Sequence, residues 1–287
     1  MTYSIIAKCS ETGQYGVGIQ SHFYAAGNAC WANAGVGAVV TQAMALIDHG
    51  PLGLKLMAKG KSASEALSER LNIDPDPEIR QVAMLDSNGR VAAHTGSVTI
   101  PAAGHVMGEG FSCQANLMWN DTVPQEMADA FVNSKGNLAH RLLTALFAGQ
   151  NAGGDIRGMQ SGRILVVDSN AMDKEWEGIL VDVNVDDHSN PLKEMERLLK
   201  VNTIYSDFTK NGYELELDKT QAEEYPEIAF WTGINLANKG DLEKGKKLTD
   251  IALKNHSGWR ELLIRCSENN FFGITEELVK QLLNNEQ

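Results

Sequence analysis

Apolar and polar positions begin to alternate with a period of two almost at the first residue. Residues 4–9 (Ser-Ile-Ile-Ala-Lys-Cys) and 15–21 (Tyr-Gly-Val-Gly-Ile-Gln-Ser) flank Glu11-Thr12-Gly13-Gln14, and this pattern predicts an N-terminal hairpin. A third strand is expected over residues 35–42, where both faces are apolar, as in a central strand covered on each side. Helices are predicted near residues 53–58 and from Ser62-Ala63-Ser64-Glu65, a capping-box sequence. Residues 79–86 and 90–95 enclose Ser87-Asn88-Gly89, a strong hairpin signal, and another strand fits residues 110–117. Helical periodicity returns over residues 124–132 and 138–147, and a glycine-rich stretch follows from Asn151 to Gly162. Two more strands, 163–168 and 178–185, and a helix near 191–201 complete this part.

The order is strands, helices, strands, helices, strands. It argues against alternating βαβ units and for an α+β fold in which antiparallel sheets are layered with helices. From about Asn202 the remaining residues read as helices. The run from Ala229-Phe230-Trp231 through Gly233, Leu242 and Gly245 to Ala252-Leu253 and Trp259 resembles one tetratricopeptide unit. Stacked repeats normally need about three units, so this annex is expected to lean on the main domain or on a second subunit. A domain of residues 1–201 and a helical domain of residues 202–287 are therefore expected, in a homo-oligomer, most simply a dimer.

Composition narrows the function classes. The 287 residues are 43% apolar and 22% charged, with 37 acidic against 25 basic side chains and a net charge of -12. Sequence-independent nucleic-acid binding rests on clustered Lys and Arg, and the longest basic run is Lys246-Lys247. Nucleic acid and anionic membrane surfaces are accordingly not expected partners. Cys9, Cys30, Cys113 and Cys266 form no C-x-x-C, and the histidines show no ligand spacing, so neither a metal nor another cofactor is expected. Met1-Thr2-Tyr3-Ser4 has neither the basic nor the apolar segment of a secretory signal, so a cytoplasmic location is expected.

The first candidate for chemistry is Thr2. Removal of Met1 would leave a hydroxyl and a free α-amine on one residue at a strand start. An α-amine titrates near pH ~7.7–8.0, so a fraction is neutral and can take the hydroxyl proton. Gln114 and Asn116 share one strand face and can hold an oxyanion or a substrate amide; the alternative is a buried polar ladder. Thr41 and Gln42 end the third strand and can line the same cleft. His94 can act as acid, base or ligand, or be a hydrogen-bonded structural residue. Asp155 and Arg157 lie two apart in the glycine-rich loop. They can clamp a ligand, Arg157 on a carboxylate and Asp155 on a polar or amine group, or simply pair with each other.

The segments Met1–Ala7, Gly35–Gln42, Ala93-His94-Thr95-Gly96, Gln114-Ala115-Asn116 and Gly153–Ser161 together resemble a bacterial and archaeal family catalogued as domain of unknown function one thousand and twenty-eight. The resemblance implies an N-terminal-nucleophile-hydrolase-like fold, a four-layer αββα sandwich of two antiparallel sheets, and amide hydrolysis with Thr2 as nucleophile. Some relatives carry a C-terminal segment labelled as peptidoglycan-binding, which the region from Trp231 to Leu262 resembles. Proteasome-like members use an Asp and a Lys to tune the amine. Here the comparable stretches hold Val17, Ser21 and Asn33, leaving Arg157 or Lys8 as the substitute cation. The expected activity is an amidohydrolase acting on a small or peptide-like amide, with Thr2, Gln114 and Asn116 catalytic and Thr41, His94, Asp155 and Arg157 binding substrate. The alternatives are a non-catalytic ligand-binding protein whose annex recruits a partner, and a hydrolase of recycled peptidoglycan fragments.

Overall fold

The computed structural model describes residues 2–283, and the chain divides into two compact units, Met1–Lys200 and Val201–Gln287. The first contains β1 (Thr2–Lys8), β2 (Tyr15–Ser21), β3 (Cys30–Asn33), β4 (Gly37–Ala43), α1 (His49–Ala58), α2 (Ala63–Asn72), β5 (Arg80–Asp86), β6 (Val91–Thr95), β7 (Gly104–Gly108) and β8 (Phe111–Asn116). It continues with α3 (Val123–Asn133), α4 (Leu138–Asn151), β9 (Ser161–Val167), β10 (Ile179–Val185) and the start of α5 (Pro191–Lys210). The strands form a six-stranded sheet, β10-β9-β2-β1-β8-β7, and a four-stranded sheet, β3-β4-β5-β6, with antiparallel pairing throughout.

Alternation along each strand assigns its side chains to two layers. On β1, Tyr3 and Ile5 pack with Met127 of α3 and with Leu142 and Leu146 of α4. Its Ile6 instead joins Val17 and Ile19 of β2 against Val40, Ala83 and Leu85 of the smaller sheet. The far face of that sheet, with Val39, Val82 and Met84, is covered by Leu54 of α1 and Leu67 of α2. Helices, two sheets and helices are thus stacked in four layers, the expected αββα sandwich.

Local chemistry explains several elements. The Ser62 hydroxyl accepts the Glu65 N–H, and the Glu65 carboxylate accepts the Ser62 N–H, so the capping box forms at the start of α2. The Asp86 carboxylate caps the same helix through the Ala63 N–H (3.0 Å) and ties the Ser87-Asn88-Gly89 turn through the N–H groups of Asn88 and Arg90. Gly16 lets α4 lie directly on β2, because a Cβ there would stand 2.7 Å from Leu142 Cδ1. Sequence patterning does not predict β3 or β7, and α1 begins four residues earlier than expected, at His49.

The second unit continues α5 and adds α6 (Lys219–Glu224), α7 (Pro226–Asn238), α8 (Leu242–Asn255), α9 (Gly258–Glu268) and α10 (Glu276–Leu283). Its core gathers Phe230, Ile234, Ala252, Leu263 and Leu278. Trp259 stacks obliquely on Phe230 at 5.2 Å between centroids, which accounts for this tryptophan as packing. Among the described residues, no helix is long and apolar enough to cross a membrane. The α7–α8 crossing depends on two glycines: a Cβ on Gly233 would lie 2.7 Å from the Gly245 carbonyl oxygen, and one on Gly245 2.6 Å from that of Gly233. Gly233→Ala is therefore expected to destabilise this unit by roughly 1–3 kcal/mol, as overpacking does. Urea unfolding followed by Trp fluorescence checks this; an unchanged midpoint for the helical unit would contradict the packing account.

Candidate functional site

Thr2 opens β1 between β2 and β8, opposite Ser21 on one side and Asn116 on the other. Its hydroxyl donates to Ser21 Oγ at 3.0 Å, and the residue is only 6% exposed. Its carbonyl oxygen accepts from the Gln42 Nε2 amide at 3.1 Å and from Asn116 Nδ2 at 3.5 Å. Thr2, Ser21, Thr41, Gln42 and Arg157 line one cleft of about 580 Å³. That volume lies within the ~300–1,000 Å³ common for small-ligand pockets.

Behind Thr2, the space between the sheets holds a set of fully buried amides. Gln81 Oε1 accepts from Gln42 Nε2 (2.6 Å) and Asn116 Nδ2 (2.8 Å). Gln81 Nε2 donates to Thr95 Oγ1 and to the carbonyls of Gly104 and Ala115. The Ser4 hydroxyl donates to Gln42 Oε1 (2.6 Å) and accepts from Gln114 Nε2 (2.8 Å), while Gln114 Oε1 accepts from Ser112. Buried polar groups stabilise only when paired, and this network pairs nearly all of them; Asn116 Oδ1 is an exception among the described residues.

Two loops form the cleft walls, and each is tied by polar groups. In the turn after β2, Ser161 Oγ donates to the Phe23 carbonyl (2.6 Å) and accepts the Ala26 N–H (2.9 Å), with Ala25 left-handed at φ 51°. In the loop after β4, Ala43 is left-handed at φ 64°, and Arg80 Nη1 donates to the Met44 carbonyl at 2.7 Å. Arg80 is held by Asp74, whose carboxylate also accepts from the ring Nε2 of buried His49 at 2.8 Å. Burial alone would raise the Asp74 carboxyl, but hydrogen bonds from Arg80, the Asp76 N–H and His49 hold it at about 2. Burial pushes the His49 imidazole below its usual range despite Asp74.

The structure brings together only part of the expected site. Thr2, Thr41 and Arg157 share the cleft, but Thr41 alternates with Gln42 and Val40, so its side chain belongs to the helix-facing side of β4, with its hydroxyl buried and unpartnered among the described residues. Gln114 and Asn116 do not line the cleft: both are wholly buried in the inter-sheet network, the polar ladder anticipated as their alternative. His94 lies elsewhere, in a shallow groove with Ser64 and Leu67 of α2, its Nε2 at 2.8 Å from the Pro77 carbonyl oxygen. The reason is register: His94 pairs with Val82, whose side chain faces α1 and α2. Asp155 is buried and binds Arg157 through Nε (3.0 Å) and Nη2 (2.7 Å), as well as the His22 and Arg157 N–H groups, so it fixes the loop. Lys8 sits at the opposite end of β1, about 20 Å of strand from Thr2, and donates to the Ser87 carbonyl. Sequence reasoning missed Gln81, the centre of the amide network. The available signal was a lone glutamine in the apolar run of β5.

Architecture and site together define a four-layer α+β sandwich with a cleft at the start of its first strand. Residues 2–195 match the model of a family of unknown function, DUF1028, and the chain belongs to this family. The sandwich is also similar to the crystal structure of a DUF1028 protein from Silicibacter pomeroyi, at 27% identity and a TM-score of 0.65, covering 72% of this chain and 92% of that one. Comparison with curated proteins finds no match.

The His49–Asp74–Arg80 cluster generates a stability test. Both His49 and Asp74 have folded-state values below their unfolded ones, so the unfolded chain binds more protons. The stabilisation is complete above about pH 6.5 for His49 and about pH 3.9 for Asp74, and is lost as the pH falls through the folded-state values. Asp74→Asn, which leaves Arg80 without its carboxylate, is expected to cost roughly 3 kcal/mol at pH 7 and to flatten the stability profile below about pH 4, where Asp74 itself titrates. Urea midpoints measured from pH 2 to pH 8 check both; a variant with an unchanged midpoint and profile would contradict the role assigned to the cluster.

Proposed function

We propose that the protein is an amide hydrolase in which Thr2, freed by removal of Met1, is the nucleophile. The observation that carries this reading is the Thr2 hydroxyl, hydrogen-bonded to Ser21 Oγ at the base of a ligand-sized cleft. In the proposed reaction the Thr2 amine takes the hydroxyl proton, directly or through a water. The oxygen attacks the amide carbonyl, the C–N bond breaks as the same proton passes to the departing amine, and water then hydrolyses the ester left on Thr2, releasing the acid and restoring the hydroxyl. Ser21 positions the hydroxyl, while Gln42 and Asn116 hold the Thr2 carbonyl and so fix the angle at which residue 2 leaves the sheet. Arg157 is the one charged residue of the described cleft lining and takes the place of the cation that tunes the amine. Because Gln114 and Asn116 are engaged between the sheets, these two amides do not serve as oxyanion donors in the proposed reaction.

A second reading, a ligand-binding protein without turnover, draws support from that same engagement of Gln114 and Asn116 and from a lining with a single charged residue. The two readings separate on one experiment. Intact-mass spectrometry of the native protein is expected to show loss of Met1. In an assay across small amides, Thr2→Ala is expected to lower kcat by at least about a thousandfold, with Thr2→Ser keeping measurable turnover. Retained Met1, or full activity in Thr2→Ala, would overturn the hydrolase reading.

A further inference from the structure

The mouth of the Thr2 cleft carries a concentration of exposed apolar side chains. Phe23 and Tyr24 on one wall are 66% and 62% exposed, and Met44 and Ile47 on the other are 60% and 49% exposed. Apolar groups scattered singly over a surface are ordinary, but a contiguous set around a concavity marks a binding site. These four are also presented on backbone that is already fixed. Ser161 ties the Phe23–Ala26 turn from both ends, and Arg80 with the Met44–Ile79 backbone bond ties the opposite loop. Between them the lining is dominated by small residues, Ala26, Ala29, Ala43 and Ala45 among them, which leave room rather than fill it. At the inner end stand Thr2 and Ser21, with Arg157 beside them, and the exposed Asn28 adds one polar group to the lining.

We infer that the cleft selects amides with an apolar acyl group, a linear chain of about six carbons or a comparable aromatic acyl, lying between Phe23–Tyr24 and Met44–Ile47 with the amide carbonyl at Thr2. This rests on the hydrolase reading for the direction of the substrate but not for the apolar preference itself. A concave wall that ends on the Thr2 hydroxyl favours a small ligand over a second copy of the chain, which would need a flatter and wider patch. Charged or sugar-bearing amides are disfavoured between Phe23–Tyr24 and Met44–Ile47, where they would lose hydration against four apolar side chains.

Each methylene taken out of water tightens binding up to about fourfold. Hexanoyl-glycinamide, with four more methylenes than acetyl-glycinamide, is therefore expected to bind roughly fifty- to two-hundred-fold more tightly. Isothermal titration of the full chain carrying Thr2→Ala reads this without turnover. Met44→Gln combined with Ile47→Gln, both at exposed positions, is expected to cut the hexanoyl affinity at least tenfold while leaving the acetyl affinity and the urea midpoint unchanged. Equal affinity for the two amides, or no binding of the hexanoyl compound at millimolar concentration, would overturn the inference. So would a light-scattering result in which the double variant turns a dimer into a monomer and the hexanoyl compound does not bind. Chain-length preference in binding with no hydrolysis by the native protein would sustain this inference and overturn the hydrolase reading. Hydrolysis with no chain-length preference would do the reverse.

Discussion

The arrangement of the first unit hangs on Gln81. Its amide sits between the two sheets beside the apolar contacts that join them, and it satisfies Gln42 from its own sheet and Asn116 from the other at once. An amide with four hydrogen-bonding positions, fully removed from water, is costly unless nearly all are used. The observed placement of β1, β4, β5 and β8 uses all of them. The network therefore specifies register across the sandwich, which aliphatic packing alone does loosely. It also reaches the candidate site at the carbonyl of Thr2, held by Gln42 and Asn116.

From that point outward, each polar tie has a geometric consequence for the cleft. Ser21 takes the Thr2 hydroxyl, Ser161 shapes the turn bearing Phe23 and Tyr24, and the His49–Asp74–Arg80 cluster holds the loop bearing Met44. Ser161 and the His49–Asp74–Arg80 cluster lie outside the cleft lining, so both loops are preorganised by polar groups behind the walls. Asp155 belongs to the same class of supports: it fixes the backbone at His22 and Arg157.

Much of the fold was legible because its signals are local. The N-terminal hairpin, the Asn88-Gly89 turn and the Ser62–Glu65 capping box each rest on residues a few positions apart, and all three form as expected. β3 and β7 were not legible: the first is four residues long, and the second is a partly exposed edge strand bounded by glycines, so neither shows a clean alternation. Of the residues expected to share a site, Thr2 and Arg157 do line one cleft, whereas the surroundings of Gln114, Asn116 and His94 were not legible. Those surroundings depend on which face meets which neighbour. For Gln114 and Asn116 the answer comes from Ser4 and Gln81, which are distant in sequence. For His94 it comes from its pairing with Val82, which turns it toward α2.

The proposed chemistry stands or falls on the Thr2 oxygen acting as a nucleophile that faces an acyl-binding cleft. A β-lactone bearing an apolar side chain acylates such an oxygen without needing a leaving amine. Incubation with the native protein, followed by peptide mass spectrometry, is expected to place a single acyl group on the N-terminal peptide, at the Thr2 hydroxyl, and none in Thr2→Ala. Labelling that is absent, or that falls equally on other hydroxyls in both proteins, would contradict the claim.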